Sequence, residues 1–365
     1  MVGEVTYKYT PSPWDENAFH RAGGFTIVFF NYNKAPMIER SVQSVLNQDY
    51  PCLELLFMDD ASSDGSGEAM ERLVRSYRGR HKVLVVRNTA NQYITGQWNI
   101  ASRLASGSWL GMFCADDIAH PDRVSIAAQH ILGHPTLRGF STAAVDIDGH
   151  TGEVLPDSHY VPSPYFANGL DSPESLVENF RSNGATSFWH ISLFEKPLPR
   201  VPLDDDYLHY RCYFQNQGVD GPIFFYNSDV KTIDYTIGVG VTSSSSNEIP
   251  GEPGVSRRKH IWIQSVKNQK HLAKLSIETL SCLLREYGNY DKFCVAIRRS
   301  LLEKEIRAGN TLSRVLLLPE LMRYLCSEST SRKFRFKLVK PFAHDFAMEF
   351  FGLHFGATVS TLLHK

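Results

Sequence analysis

No two cysteines of this sequence stand in a Cys-x-x-Cys pair; the six lie at 52, 114, 212, 282, 294 and 326. That scatter argues against a zinc site of the paired-cysteine kind and against a disulfide framework, and points to a reducing compartment. An excess of one charge is missing too. The net charge is −1, so nothing electrostatic recommends nucleic acid as a partner. No apolar run reaches the ~18 residues that a spanning helix needs. Residues 1–23 are interrupted by Pro11, Pro13, Asp15, Glu16 and Arg21, a pattern unlike a signal peptide. No Gly-x-Gly-x-x-Gly follows the first apolar strand, which disfavours a dinucleotide oxidoreductase. Internal repeats are absent. What remains is an ordinary globular composition: 365 residues, 42% hydrophobic and 21% charged, a size that suits two structural units.

Within that composition, strands and helices alternate. Phe25–Phe30 is short, continuous, β-branched and aromatic, and reads as a strand buried on both faces. Pro36 suits the first turn of the following helix, on which Ile38, Val42, Val45 and Leu46 share one side. Leu53–Met58 is the second strand and Ser66–Tyr77 the second helix, with Met70, Leu73 and Val74 inward. Val83–Val86, a helix over Thr95–Ser106 and the strand Leu110–Cys114 complete the regular part. Such alternation predicts an α/β fold, with a mostly parallel sheet and helices on both faces. Beyond residue 135 the order loosens. Ser141–Val145, Phe188–Phe194, Ile223–Tyr226 and Val230–Tyr235 are strand candidates; residues 150–175 read as an irregular excursion, and Thr242–Gly254 as a mobile loop.

Two of these strands end abruptly in acid. Leu53–Met58 runs into Asp59, Asp60, Ala61, Ser62, Ser63 and Asp64; Trp109–Ala115 runs into Asp116 and Asp117. In open α/β sheets ligands bind beyond the carboxyl ends of the strands, so paired carboxylates there suggest a polar ligand and a metal. Taken singly, Asp116-Asp117 is also a turn opener before His120-Pro121, and Asp64 also a helix cap.

Four segments settle on one family. FFNYNKAPMIERSVQSVLNQDYP, LLFMDDASSDGS, NTANQYITGQWNIASRLASGSWLGMFCADDIAHPDRV and LDDDYLHYR occur in that order between residue 25 and about residue 240. Together they resemble a family-2 glycosyltransferase with the Rossmann-like, nucleotide-sugar-binding GT-A fold. The resemblance implies transfer of a hexose or N-acetylhexosamine, with inversion, from a nucleotide-diphosphate donor (UDP-sugars favoured) to a hydroxyl of a glycan or lipid-linked glycan, as in polysaccharide biosynthesis. It implies a divalent cofactor, Mn²⁺ or Mg²⁺. Both prefer oxygen ligands and neutralise charge on a leaving diphosphate. Asp116 and Asp117 are the candidate ligands. The family's usual D-x-D begins with an Asp where this chain has Cys114.

By the same resemblance Asp59 and Asp60 face the nucleoside, with Asn31, Tyr32 and Asn33 beside them. Asn91 and Asn99 belong to the donor stretch, where the family's Arg is replaced by Trp98, a candidate core or wall residue. The E-D-x-x-L-x-x-R element maps to Asp204, Asp205, Leu208 and Arg211. That makes Asp205 the candidate general base and Asp204 its neighbour; a like charge close by raises a carboxylate's proton affinity. Three acids opening a helix are also a plain cap. Asn183–Thr186 is a candidate floor for the incoming sugar, Arg123 a structural helix residue, and His209 carries no assigned chemistry.

The expected layout is an N-terminal extension at 1–24, a GT-A domain at 25–245 (donor half 25–135, acceptor half 136–245), and a helical tail at 256–365. The basic run Arg332, Lys333, Arg335, Lys337 and Lys340, followed by the Phe- and Leu-rich 342–363, suits peripheral contact with an anionic membrane. The preferred reading of the tail is a helical domain packed on the catalytic unit or on a second copy of the chain. A cytoplasmic protein, at most peripheral at the inner face of a membrane, is expected. Two other functions compete with this one. A non-catalytic glycan- or partner-binding member of the fold has Cys114 and Trp98 in its favour. A sugar nucleotidyltransferase is weaker, since NYNKAP stands where a Gly-rich basic loop belongs.

Overall fold

The computed structural model describes residues 3–149, 151–155, 165–168, 184–202, 204–215 and 223–237, and in the C-terminal part residues 279, 282, 283, 285 and 286. The chain divides into two units, Met1–Asn247 and Glu248–Lys365. The expected tail helices, the basic run, the 242–254 loop, Asn183 and most of the 150–175 excursion lie outside the described residues.

Among the described residues of the first unit, ten strands form one sheet. They are β1 (Glu4–Tyr9), β2 (Phe25–Asn31), β3 (Leu53–Asp59), β4 (Lys82–Arg87), β5 (Trp109–Cys114), β6 (Ile118–Ala119), β7 (Gly139–Asp148), β8 (Tyr165–Asn168), β9 (Phe188–His190) and β10 (Ile223–Ile237). The order is β1-β4-β3-β2-β5-β9-β7-β10-β6, with β8 also on β10. β4, β3, β2 and β5 run parallel, as their uninterrupted apolar sequences require. Among the described residues the helices are α1 (Glu16–Arg21), α2 (Ile38–Leu46), α3 (Ser66–Ser76), α4 (Tyr93–Leu104), α5 (Arg123–Gly133) and α6 (Asp204–Gln215).

Both faces of the parallel strands are buried, by alternation along each strand. Phe25, Ile27, Phe29, Leu53, Leu55, Phe57, Val83 and Val85 join one core with Ile38 and Val42 of α2, Met70 and Val74 of α3, and Val124 and Ile131 of α5. Residues of the other parity meet α4: the Phe30 and Trp98 rings lie 5.0 Å apart, edge to face. Glu54 is a buried acid near the start of β3. It stays buried because Thr26, the backbone and hydroxyl of Ser106, and the Lys82 ammonium at 2.9 Å all satisfy it.

Three elements depart from the sequence reading. Residues 1–24 carry β1, antiparallel on β4, and α1, whose N-terminus Asp15 caps by accepting from the Ala18 amide. The candidate strand Phe188–Phe194 ends at His190; the chain then tightens into a 3₁₀ turn, Ile191–Phe194, with His190 accepting from the Ser192 amide. The two candidates at 223–235 are one strand. The polar break between them, Asn227-Ser228-Asp229, is a register shift in its pairing with β7.

Candidate functional site

The chain runs from β2 to β3 to β4 on one side of the sheet and then crosses to β5 on the other side of β2. That reversal creates a switch point, and the acidic segments stand at it. Asn31 of β2 is in register with Asp59 of β3, and Phe30 with Cys114 of β5, so three carboxyl ends lie side by side. A ligand crevice opens at such a point in α/β sheets.

At the β3 end the acids are tied into the protein. Asp59 accepts from the Asn31 side-chain amide at 2.8 Å and from the Ser62 amide at 3.3 Å, with Arg87 Nε 3.6 Å away. Its carboxylate lies against the first turn of α3, where a Cβ on Gly67 would fall 2.6 Å from it; only glycine leaves that space. Asp60 accepts from the Asn88 side chain (2.8 Å) and from the amides of Gln92 (2.8 Å) and Tyr93 (3.0 Å), so it fixes the loop that enters α4. Burial nevertheless raises its proton affinity. Asn31 spends its amide on Asp59, Ser62 and Ser66. Asn33, at φ 52°, accepts from the Ser63 amide. Tyr32 is 39% exposed beside them. Asn91 accepts from the Tyr93 amide. Asn99 points elsewhere: both ends of its side-chain amide hold the backbone of Leu198, at 2.7 and 2.9 Å.

The β5 end is different. Asp116 Oδ2 receives the Lys34 ammonium at 2.8 Å, and this pair is nearly buried. Asp117 is fully buried; its Oδ1 accepts from the Thr236 amide at 2.8 Å, and its Oδ2 has no hydrogen-bond partner. Burial first, and Asp116 second, push the Asp117 carboxyl well above its ordinary range. Cys114 Sγ and one oxygen from each of Asp116 and Asp117 lie within 4.8 Å of one another. An orphaned carboxylate oxygen, with an ammonium already drawn to the neighbouring acid, fits a cation at this place.

α6 brings in the third acidic group. Asp204 Oδ2 accepts from the Trp98 indole at 2.7 Å. Trp98 is wholly buried and packs on Phe194 as well as Phe30. The Asp204 carboxyl is raised to about 7, by burial first and then by the charge of Asp205. Burial also raises Asp205, against the amides it accepts. Asp204 is near enough to Cys114 to raise the thiol, although burial and the acids 116 and 117 raise it more. Asp205 sits beside Gly184, where a Cβ would stand 3.5 Å from its Oδ2. Arg211 donates to the carbonyls of Leu193, Lys196 and Pro197, which anchors α6. His209 is core: buried against Trp189 and Phe225, it is held neutral, down to about 3.

Asp116, Asp117 and the Asp204–Asp205 pair thus share one electrostatic neighbourhood, and Asn31, Asp59 and Asp60 flank it through strand register. Three further residues enter that the sequence reading left without a role. Lys34, three residues beyond β2, was visible in NYNKAP as a cation following a strand end. Arg40 reaches the Asp116 carbonyl at 3.5 Å from one turn into α2. Thr236, which also donates its hydroxyl to that carbonyl at 2.5 Å, is 120 residues away and left no local signal.

Residues 26–180 match the family model described as Glycosyl transferase family 2. A chondroitin synthase of Pasteurella multocida (strain Pm70) is 28% identical over 162 residues, which are 44% of this chain and 15% of that protein. A putative glycosyltransferase, EpsE, of Bacillus subtilis (strain 168) is 27% identical over 142 residues, 38% of this chain and 49% of that one. The match thus spans less than half of each relative. Among solved structures, S. aureus TarS 1–349 in complex with UDP-GlcNAc is similar over 91% of this chain and 93% of that chain, with a TM-score of 0.51 and 16% identity. The shared fold is GT-A.

Proposed function

We propose that this chain, whose residues 26–180 match the model of glycosyltransferase family 2, transfers a sugar, with inversion, from a nucleotide-diphosphate donor to a hydroxyl of a glycan or lipid-linked glycan. The observation that carries the reading is the meeting of Asp116, Asp117 and Lys34 at the sheet's switch point, with the Asp204–Asp205 pair in electrostatic reach. We favour a UDP-sugar as donor. Relatives named chondroitin synthase and hyaluronan synthase fit a glycan acceptor. The catalytic unit is taken as residues 25–245, with its donor half at 25–135 and its acceptor half at 136–245.

Asp116 and Asp117 would hold a divalent cation, Mn²⁺ or Mg²⁺, whose chemistry is to neutralise charge on the departing diphosphate. Lys34 supplies a second positive group at the same strand end. Asp60, by fixing residues 88–93, shapes the nucleoside side of the crevice, with Tyr32 exposed for stacking. Asp205 takes the proton of the incoming hydroxyl. A base works best when its pKa is near the working pH, and burial raises this one. Asp204 beside it is raised to about 7, by burial first and then by the charge of Asp205.

The test is Asp205→Asn. Binding of UDP-sugar, followed by calorimetry, should be unchanged, while transfer falls by about 10²-fold or more. Transfer at the parent rate would remove Asp205 from the reaction. Loss of nucleotide binding in both Asp116→Ala and Asp117→Ala, with the fold intact, is expected alongside.

A further inference from the structure

We propose that Cys114 converts this cation site into a mixed sulfur–oxygen one that prefers borderline ions such as Zn²⁺ and Co²⁺ to Mg²⁺. The proposal rests on the reading of Asp116 and Asp117 as cation ligands and adds to it a third donor and a selectivity. Three observations support it. The Cys114 sulfur and the two carboxylates lie within 4.8 Å of one another, the spread of a single coordination sphere. Asp117 Oδ2 is buried with no hydrogen-bond partner in a residue of 0% exposure, a cost that proteins accept where a ligand completes the group. Lys34 Nζ lies 2.8 Å from Asp116 Oδ2, so this carboxylate already takes a positive partner on the crevice side.

The donor set decides which cation. Carboxylate and water ligands alone suit Mg²⁺, Ca²⁺ and Mn²⁺, whereas a thiolate shifts preference toward Zn²⁺ and its analogues. Cys114 is half-buried at the last position of β5, at the carboxyl end that faces the switch point. Binding exchanges one bond for another without redox change. The S–H proton passes to solvent, a sulfur–metal bond forms, and Lys34 gives up its hold on Asp116. Affinity for a thiophilic ion therefore rises with pH. The plain alternative is a cysteine that only packs as a small apolar side chain. It predicts no sulfur–metal bond and no ion preference.

The experiment titrates the full-length chain, free of nucleotide, with Co²⁺. A near-ultraviolet thiolate-to-cobalt band should grow to one equivalent and release a proton. Zn²⁺ should displace the ion where a large excess of Mg²⁺ does not. Cys114→Ser should remove the band and weaken the preference for Zn²⁺ over Mg²⁺ by about tenfold or more. Cys114→Ala should do the same, with unchanged circular dichroism as the check on folding. Calorimetric Co²⁺ binding without the band, a band surviving in both variants, or no Co²⁺ binding at all would overturn the proposal. If transfer still depends on Asp205 in that case, only the role of Cys114 falls. If neither metal binding nor transfer is found, the underlying reading falls with it.

Discussion

At the scale of single residues, Trp98 ties the core to an acid of the crevice. An apolar ring stands where the family resemblance implies an arginine, and its only polar atom, the indole N–H, donates to Asp204. A buried carboxyl keeps one fixed partner in this way, while the rings of Phe30 and Phe194 hold the indole in place. Trp98→Phe keeps most of that packing and deletes the donor. Stability should drop by about 1–3 kcal/mol in urea unfolding. The Asp204 carboxyl should rise further above 7, moving any pH–rate limb that it controls to higher pH. An unmoved profile would separate Asp204 from the chemistry. Which residues were legible at this scale follows from how each signals itself. Asp59, Asp60, Asp116 and Asp117 stand out because acid directly after a buried apolar run marks the carboxyl end of a strand. Thr236 does not, because its role is a backbone N–H and a hydroxyl arriving from a distant strand. Asn99 illustrates the opposite error: a motif position whose side chain is absorbed by the Leu198 backbone.

At the scale of elements, β2, β3, β4 and β5 were readable to within a residue or two, since parallel strands covered on both faces must be continuous apolar runs. β1 escaped because it is an exposed edge in which Val5, Tyr7 and Tyr9 alternate with polar residues inside a segment broken by prolines. The joint between β5 and α5 depends on Arg123, the first residue of α5. It is 1% exposed and donates to the carbonyls of Met112 (2.5 Å) and Ala185 (3.0 Å) between the rings of Phe113 and Phe188. Burial lowers its pKa to about 10, and Asp117 is the first charge that offsets this. The family motif offered it as a plain helix residue; the structure makes it the tie between β5 and the turn before β9. Arg123→Met retains the stem and leaves two buried carbonyls without that donor. A loss of about 3 kcal/mol is expected in chemical unfolding. A change below about 1 kcal/mol would show that those carbonyls find other donors.

For the whole molecule, buried ionisable groups make stability depend on pH in opposing directions. His81, His190 and His209 are held neutral, with values of about 4, 4 and 3, so their contribution is complete above the ordinary histidine range and fades as pH falls. Asp204 acts in reverse. Its folded value of about 7 exceeds the ordinary 3.8, so between those limits the folded chain binds the extra proton, and stability declines as pH rises. Asp204→Asn isolates this effect, because the histidines cancel in the comparison and the amide oxygen still accepts from Trp98. The variant should match its parent near pH 4 and gain steadily up to pH 7. Above that the gain should be flat, on the order of 4 kcal/mol. Equal stabilities at pH 8 would mean that Asp204 carries no raised pKa. No helix among the described residues is long and apolar enough to cross a membrane.

β1 lies antiparallel on β4 and ends the sheet on that side. A gene trimmed to begin at residue 25, where the family likeness starts, would uncover the amides and carbonyls of Lys82–Arg87 along one flank. Bare strand flanks recruit one another. The segment that covers this flank presents instead a selvedge broken by a register shift between Val5 and Tyr7 and carrying Glu4 and Lys8, features that discourage one molecule from being woven into the next.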